Sequence, residues 1–115
     1  MSGQIRTDGI RGPSLAFIKG PKRGTIIPLV LEETLIGRID TSHIEVDDPS
    51  VSRVHARVDR RVDGFYLVDL DSTGGTLVNG QRINDPRLLV DGDEISVGEI
   101  GFIFQLSPHP RSWAA

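Results

Sequence analysis

The chain has 115 residues, 37% of them hydrophobic, which is enough for one core and too little for two. Thirteen basic residues against sixteen acidic ones leave a net charge of −3. That balance, with few aromatic residues, argues against a nucleic-acid reader, and the lack of cysteine excludes disulfides and thiolate metal sites.

Residues 1–13 are polar and Gly/Pro-rich and read as a loosely ordered tail. They hold no apolar run suited to a signal peptide, and no long apolar stretch follows, so a cytoplasmic protein is expected. Strands are expected at Leu15–Lys19, Thr25–Leu29, Thr34–Gly37 and Ile44–Val46, with turn signals at Gly20-Pro21 and Asp48-Pro49. Ser50–Asp63 is the longest run free of glycine and proline. Within it Val54, Ala56 and Val58 alternate with His55, Arg57 and Asp59, which is the period of a strand. Asp63-Gly64 reads as the hairpin turn into a strand at Phe65–Leu70. Strands at Thr76–Val78, Glu94–Val97 and Ile100–Leu106 follow, punctuated by Asn79-Gly80, Asp85-Pro86 and Asp91-Gly92. Residues 107–115 form a second tail, whose Trp113 would fold back as a packing staple or meet a partner. Many short strands at this spacing point to an all-β sandwich or barrel, with one domain over residues 14–106.

Three polar segments fall at the ends of these strands: Gly37-Arg38, then Ser52-Arg53-Val54-His55, then Ser72-Thr73-Gly74-Gly75-Thr76 with Asn79-Gly80. They offer a fixed guanidinium, hydroxyls and glycine-loosened backbone N–H groups, a set suited to holding a phosphate rather than transferring one. Arg38 follows a strand-ending glycine and would project from a sheet edge. There its guanidinium can make two parallel charge-assisted bonds to a phosphate, whereas a lone Gly-Arg would read as a solvated surface arginine. Arg53 supplies a second positive charge, or else balances Asp47 and Asp48. Ser52 and His55 look like a nucleophile and its base, but three residues apart on an extended segment they would point to opposite faces. The histidines His43, His55 and His109 are too scattered for a metal site, and an enzyme built on Ser52, His55 and Asp69 or Asp71 is set aside. No catalytic residue, cofactor or metal is expected.

The order Gly-Arg, Ser-x-x-His, Ser-Thr-x-Gly-Thr-x-x-Asn-Gly resembles the forkhead-associated (FHA) domain, a phosphothreonine-reading β-sandwich, over roughly residues 15–106. The resemblance implies two mostly antiparallel sheets of about ten or eleven short strands, with recognition loops at one end. It implies that Arg38, Ser52, Arg53 and Thr73 meet the phosphate or its surroundings. His55 would brace the loops from within, while Gly37, Gly75, Thr76 and Asn79 serve as scaffold. The chain departs from the family at Gly74, where the usual asparagine holds the bound peptide's backbone. Glycine can copy asparagine's left-handed conformation but not its hydrogen bonds. One or two bonds lost at about 0.5–1.5 kcal/mol each imply binding weaker by several-fold to tenfold or more. His43 is a milder departure, standing where a polar residue, often asparagine, is usual. Val51, Val54 and the backbone at Thr73 are the expected walls of a pocket for the threonine methyl, worth about 0.8 kcal/mol. Further specificity would come from Ser50, Arg53, Gly74 and the Asn79–Arg82 loop. With the small Ser50 two positions before Ser52, no strong arginine-driven demand for an acidic residue in the peptide is expected.

The expected function is phosphothreonine-dependent adaptor binding in Ser/Thr kinase signalling. Its partners would be phosphothreonine-containing proteins, not nucleic acid or membrane. The alternative is a phospho-independent scaffold on the same fold, which would have no need of Arg38. Thr7, about 26 Å of extended chain from Leu15, would if phosphorylated reach the site of its own or a neighbouring copy; otherwise the segment is an ordinary leader.

Overall fold

The computed structural model describes residues 12–107. These form eleven strands and no helix, so none of the described residues belongs to a helix long and apolar enough to cross a membrane. The strands are β1 (Ser14–Lys19), β2 (Ile26–Pro28), β3 (Glu33–Gly37), β4 (Ile44–Glu45), β5 (Ala56–Arg61), β6 (Gly64–Asp69), β7 (Thr76–Val78), β8 (Gln81–Arg82), β9 (Arg87–Leu88), β10 (Glu94–Val97) and β11 (Ile100–Gln105). Thr7 and Trp113 lie outside the described residues.

The strands make two sheets, ordered β2-β1-β11-β10-β7-β8 and β4-β3-β5-β6-β9. Every pairing is antiparallel except β3 with β4. Alternation supplies the core. Leu15 and Phe17 of β1, Ile95 and Val97 of β10, and Ile100, Phe102 and Phe104 of β11 turn inward from the six-stranded sheet. Ile36, Ala56, Val58 and Leu67 meet them from the other. Phe17 packs on Phe102 within one sheet at 4.6 Å between centroids, and Phe65 reaches across to Phe104 at 5.8 Å. Each such buried side chain is worth about 1.5–3 kcal/mol, which makes this sandwich a firm base for polar loops.

Three details differ from the sequence expectation. The strand within the long glycine-free run begins only at Ala56, and Val54 sits 43% exposed in the preceding loop. Between β5 and β6, Arg61 faces Gly64, so the turn residues are Val62 and Asp63, and Gly64 opens the strand with φ 145°. The two-residue strands β8 and β9 are too short to show a period of their own. Asn79-Gly80 does form a tight turn. With φ of 51° and 82° between the paired Val78 and Gln81, it is the type I′ geometry that suits a two-residue hairpin.

The parallel β3–β4 pair sets Gly37 beside Glu45 and delivers Arg38 to one end of the sandwich. The β4–β5 and β6–β7 connections arrive at the same end, as does the Gly98-Glu99 turn, whose Glu99 N–H bonds Ser50 Oγ at 2.8 Å. Ser14 and Gln105 are paired at the other end of β1 and β11.

Candidate functional site

Gly37 lets two loops touch. A Cβ at this position would lie 2.3 Å from the Arg53 carbonyl oxygen, so no other residue fits without moving the backbone. The close approach allows Arg38 N–H to donate to Ser52 O (3.0 Å) and Ile39 N–H to Arg53 O (3.1 Å). Arg38 Nε donates to Val51 O at 2.9 Å, which fixes the direction of an otherwise exposed guanidinium and leaves its two terminal amino groups for a ligand.

The β4–β5 loop is held by its own side chains. Asp48 Oδ1 accepts from the Ser50 hydroxyl (2.6 Å) and the Ser50 amide (2.9 Å), and these two donors hold the Asp48 carboxyl below the usual range. Ser50 Oγ also takes the Glu99 amide. At Gly98, a left-handed residue with φ 60°, a Cβ would fall 2.5 Å from Ser50. Ser50 is thereby bound up in bracing the loop.

His55 is fully buried. Its Nδ1 accepts the Ser52 N–H at 3.0 Å, so the ring proton must sit on Nε2, which donates to Gly75 O at 2.9 Å. The Ser52 and His55 side chains were expected to diverge along an extended segment, but the segment is bent and the ring lies under the Ser52 amide. The pair still lacks a nucleophile–base contact for another reason: both ring nitrogens are taken by backbone. Ser52 Oγ instead accepts the Thr73 N–H at 3.0 Å, leaving its own O–H free to donate outward.

The β6–β7 loop is organised around Asp69. Its Oδ1 accepts the Ser72 hydroxyl (2.5 Å) and the Thr76 hydroxyl (2.6 Å), and its Oδ2 accepts the Ser72 amide (3.2 Å). Burial works against the charge on Asp69. Even so, these hydrogen bonds prevail and keep its carboxyl below the ordinary value. Ser72 Oγ in turn accepts the Gly75 amide at 2.9 Å. Gly75 has φ 86°, and a Cβ there would meet Arg82 Nε at 2.8 Å. Gly74, expected to be left-handed, is not; the positive φ before Gly75 belongs to Asp71, at 59°. Gly74 has room, since a Cβ would find only Ser50 O at 3.8 Å.

Above this bracing lies an open cleft of about 480 Å³, lined by Arg38, Ile39, Ser52, Arg53, Val54, Asp71 and Thr73. Four expected contact residues, Arg38, Ser52, Arg53 and Thr73, therefore share one surface, while Gly74 stands outside its lining. Gly37, His55, Gly75 and Thr76 sit beneath it and are buried. Asn79 serves a different strand pair: its Nδ2 donates to Asp93 Oδ1 and its Oδ1 accepts the Glu94 amide, each at 2.9 Å. His43 Nδ1 accepts the Leu35 amide at 2.8 Å, capping the edge of β3. Val51, expected as a methyl-pocket wall, is 1% exposed and belongs to the core, so Ile39 joins Val54 as apolar lining. Ile39 carried no signal beyond following Arg38, and Asp71 had been weighed only as a catalytic acid. Among the described residues no group of His, Cys, Asp or Glu is placed to hold a metal ion.

Residues 34–98 match the family model of the FHA domain. The chain is 39% identical over 94 residues to the oxoglutarate dehydrogenase inhibitor of Corynebacterium jeikeium, covering 81% of this chain and 65% of that protein. It is 36% identical over 98 residues to the glycogen accumulation regulator GarA of Mycolicibacterium smegmatis, covering 84% of this chain and 61% of that one. The chain thus spans somewhat under two thirds of the length of these two relatives. A structure from work on phosphothreonine-dependent FHA domain interactions superposes with a TM-score of 0.76 at 30% identity, covering 85% of this chain and 99% of the other.

Proposed function

The chain belongs to the FHA family, and from that premise we propose that it is a phosphothreonine-dependent protein-binding module of Ser/Thr kinase signalling. What carries this reading is Arg38: a guanidinium aimed by its Nε–Val51 bond into a cleft that also holds the Ser52 hydroxyl, Thr73 and Arg53. A phosphate carrying about −1.5 to −2 charges would take the free Arg38 amino groups and the Ser52 O–H, with Thr73 and Arg53 beside it. Val54 and Ile39 would pack against the threonine methyl. The buried tier of Gly37, His55, Gly75 and Thr76 holds these groups in place before ligand arrives, which reduces the ordering cost of binding. The binding unit is residues 14–106, cytoplasmic and without catalysis, and its partners are proteins phosphorylated on threonine.

A second reading, a phospho-independent scaffold on the same fold, rests on Gly74, which cannot supply the side-chain amide usual in the family. Titration of a phosphothreonine peptide library and its dephosphorylated twin against wild type and Arg38→Ala separates the two. The expected result is phosphate-dependent binding, weakened at least about tenfold in Arg38→Ala as charged hydrogen bonds of roughly 1.5–3 kcal/mol are lost, in a protein that stays folded. Equal binding of both peptide forms would hand the case to the scaffold.

A further inference from the structure

Asp71 is a carboxylate in a cleft otherwise furnished for an anion. It lines that cleft with Arg38, Ser52, Arg53 and Thr73 and is exposed, and no hydrogen bond or ion pair ties its side chain to any of the described residues. Its backbone is also held at φ 59°, a left-handed conformation that glycine would adopt without steric cost. The only other non-glycine residue with positive φ among those described is Asn79, which a type I′ turn and two side-chain bonds account for. At Asp71 the neighbouring Asp69 carboxylate, which accepts the Ser72 amide and hydroxyl, sets the turn, while the Asp71 side chain itself is engaged by nothing described. It is an unfavourable charge beside a bound phosphate, with no described side chain to offset it.

A ligand can offset that charge by bringing a cation. We propose that Asp71 is a specificity residue that selects phosphopeptides carrying a lysine or arginine close to the phosphothreonine. The inference rests on the cleft being a phosphopeptide site and adds the class of peptide it prefers. Asp71 is two residues from Thr73, at most about 7 Å along the chain, so the basic residue belongs within about two or three positions of the phosphothreonine. Arg38 and Arg53 take the phosphate, and Asp71 takes the peptide's cation. An unaccompanied phosphothreonine meets Asp71 as a like charge and is disfavoured, so the residue both attracts the right peptide and repels the wrong one.

The test is a phosphothreonine peptide in an alanine background, with one lysine walked from three positions before to three after. It is titrated against wild type and Asp71→Asn, with EDTA present so that no divalent cation bridges the two anions. Asparagine tolerates the left-handed backbone and removes only the charge. Wild type is expected to bind one or two lysine positions about three- to fivefold more tightly than the lysine-free peptide, as a solvent-exposed ion pair allows. Asp71→Asn is expected to lose that preference and to bind the lysine-free peptide more tightly than wild type does. A lysine benefit equal at all positions, no benefit at any, or a preference that survives in Asp71→Asn would each overturn the proposal. In all three cases phosphate-dependent, Arg38-dependent binding would leave the reading of the cleft standing. Failure of wild type to bind every phosphopeptide would remove both.

Discussion

The underside and the rim of the recognition loops are built on opposite terms. Beneath, almost every polar group is spoken for: His55 joins the Ser52 amide to the Gly75 carbonyl, Asp69 gathers Ser72 and Thr76, and Ser50 links Asp48 to Glu99. On the rim, Arg53 and Asp71 have side chains bound to no described residue, and Arg38 commits only its Nε. Groups that must wait for a ligand cannot stabilise the loops that carry them, so a second set of residues does that from below. Stability and binding are therefore expected to separate by tier.

His55→Ala should break the underside most. It strands the Ser52 N–H and the Gly75 carbonyl and leaves a cavity at a fully buried site, for a loss of about 3–5 kcal/mol in chemical denaturation. Any loss of phosphopeptide binding should follow from unfolding, and a variant of native stability that no longer binds would erase the division between tiers.

Asp69→Asn should cost less, about 1–3 kcal/mol at neutral pH, because asparagine keeps one acceptor for the two hydroxyls. Its effect should depend on pH. The folded Asp69 carboxyl lies below the 3.8 of a free aspartate, so on acidification the unfolded chain takes up the proton first. The stabilisation is complete above that value and is lost as pH falls through the lower folded value. Urea unfolding near pH 7 and again near pH 3 should therefore show the gap between wild type and variant narrowing in acid. A constant gap would mean that the charge on Asp69 contributes nothing.

Gly74→Asn probes the rim and should have the smallest effect on stability, since a Cβ there meets nothing closer than 3.8 Å. Restoring a side-chain amide is expected to tighten phosphopeptide binding several-fold, roughly 1 kcal/mol, measurable by calorimetric titration. Unchanged affinity would show that the loop at this position lies away from the peptide.

The division also explains what the sequence disclosed. The strand at Ala56–Val58 was legible because alternation there follows directly from one buried face, and the other longer strands because turn signals punctuate them. β8 and β9 were not, because two residues held by their neighbours carry no period. The cleft's donors were legible as types (Arg38, Ser52, Thr73), yet their surroundings were not. That Val51 turns into the core while Ile39 lines the cleft depends on the bend between Val51 and His55, and no local spacing reports that bend. The same bend defeated the argument from extended-chain alternation for Ser52 and His55. The third loop is left-handed at Gly75, as its scaffold glycine suggested, and also at Asp71 rather than Gly74, because the Asp69 carboxylate sets the course of that loop.

The pairing of Ser14 with Gln105 has a practical corollary. The first and last strands finish side by side, about one strand length from the cleft, so both ends of the folded unit leave from the same pole. A unit wired in this way can be spliced into a surface loop of another protein, or anchored to a bead or sensor chip by either end, with its recognition pole still facing outward. It is a plug-in part whose mounting and working face are at opposite ends.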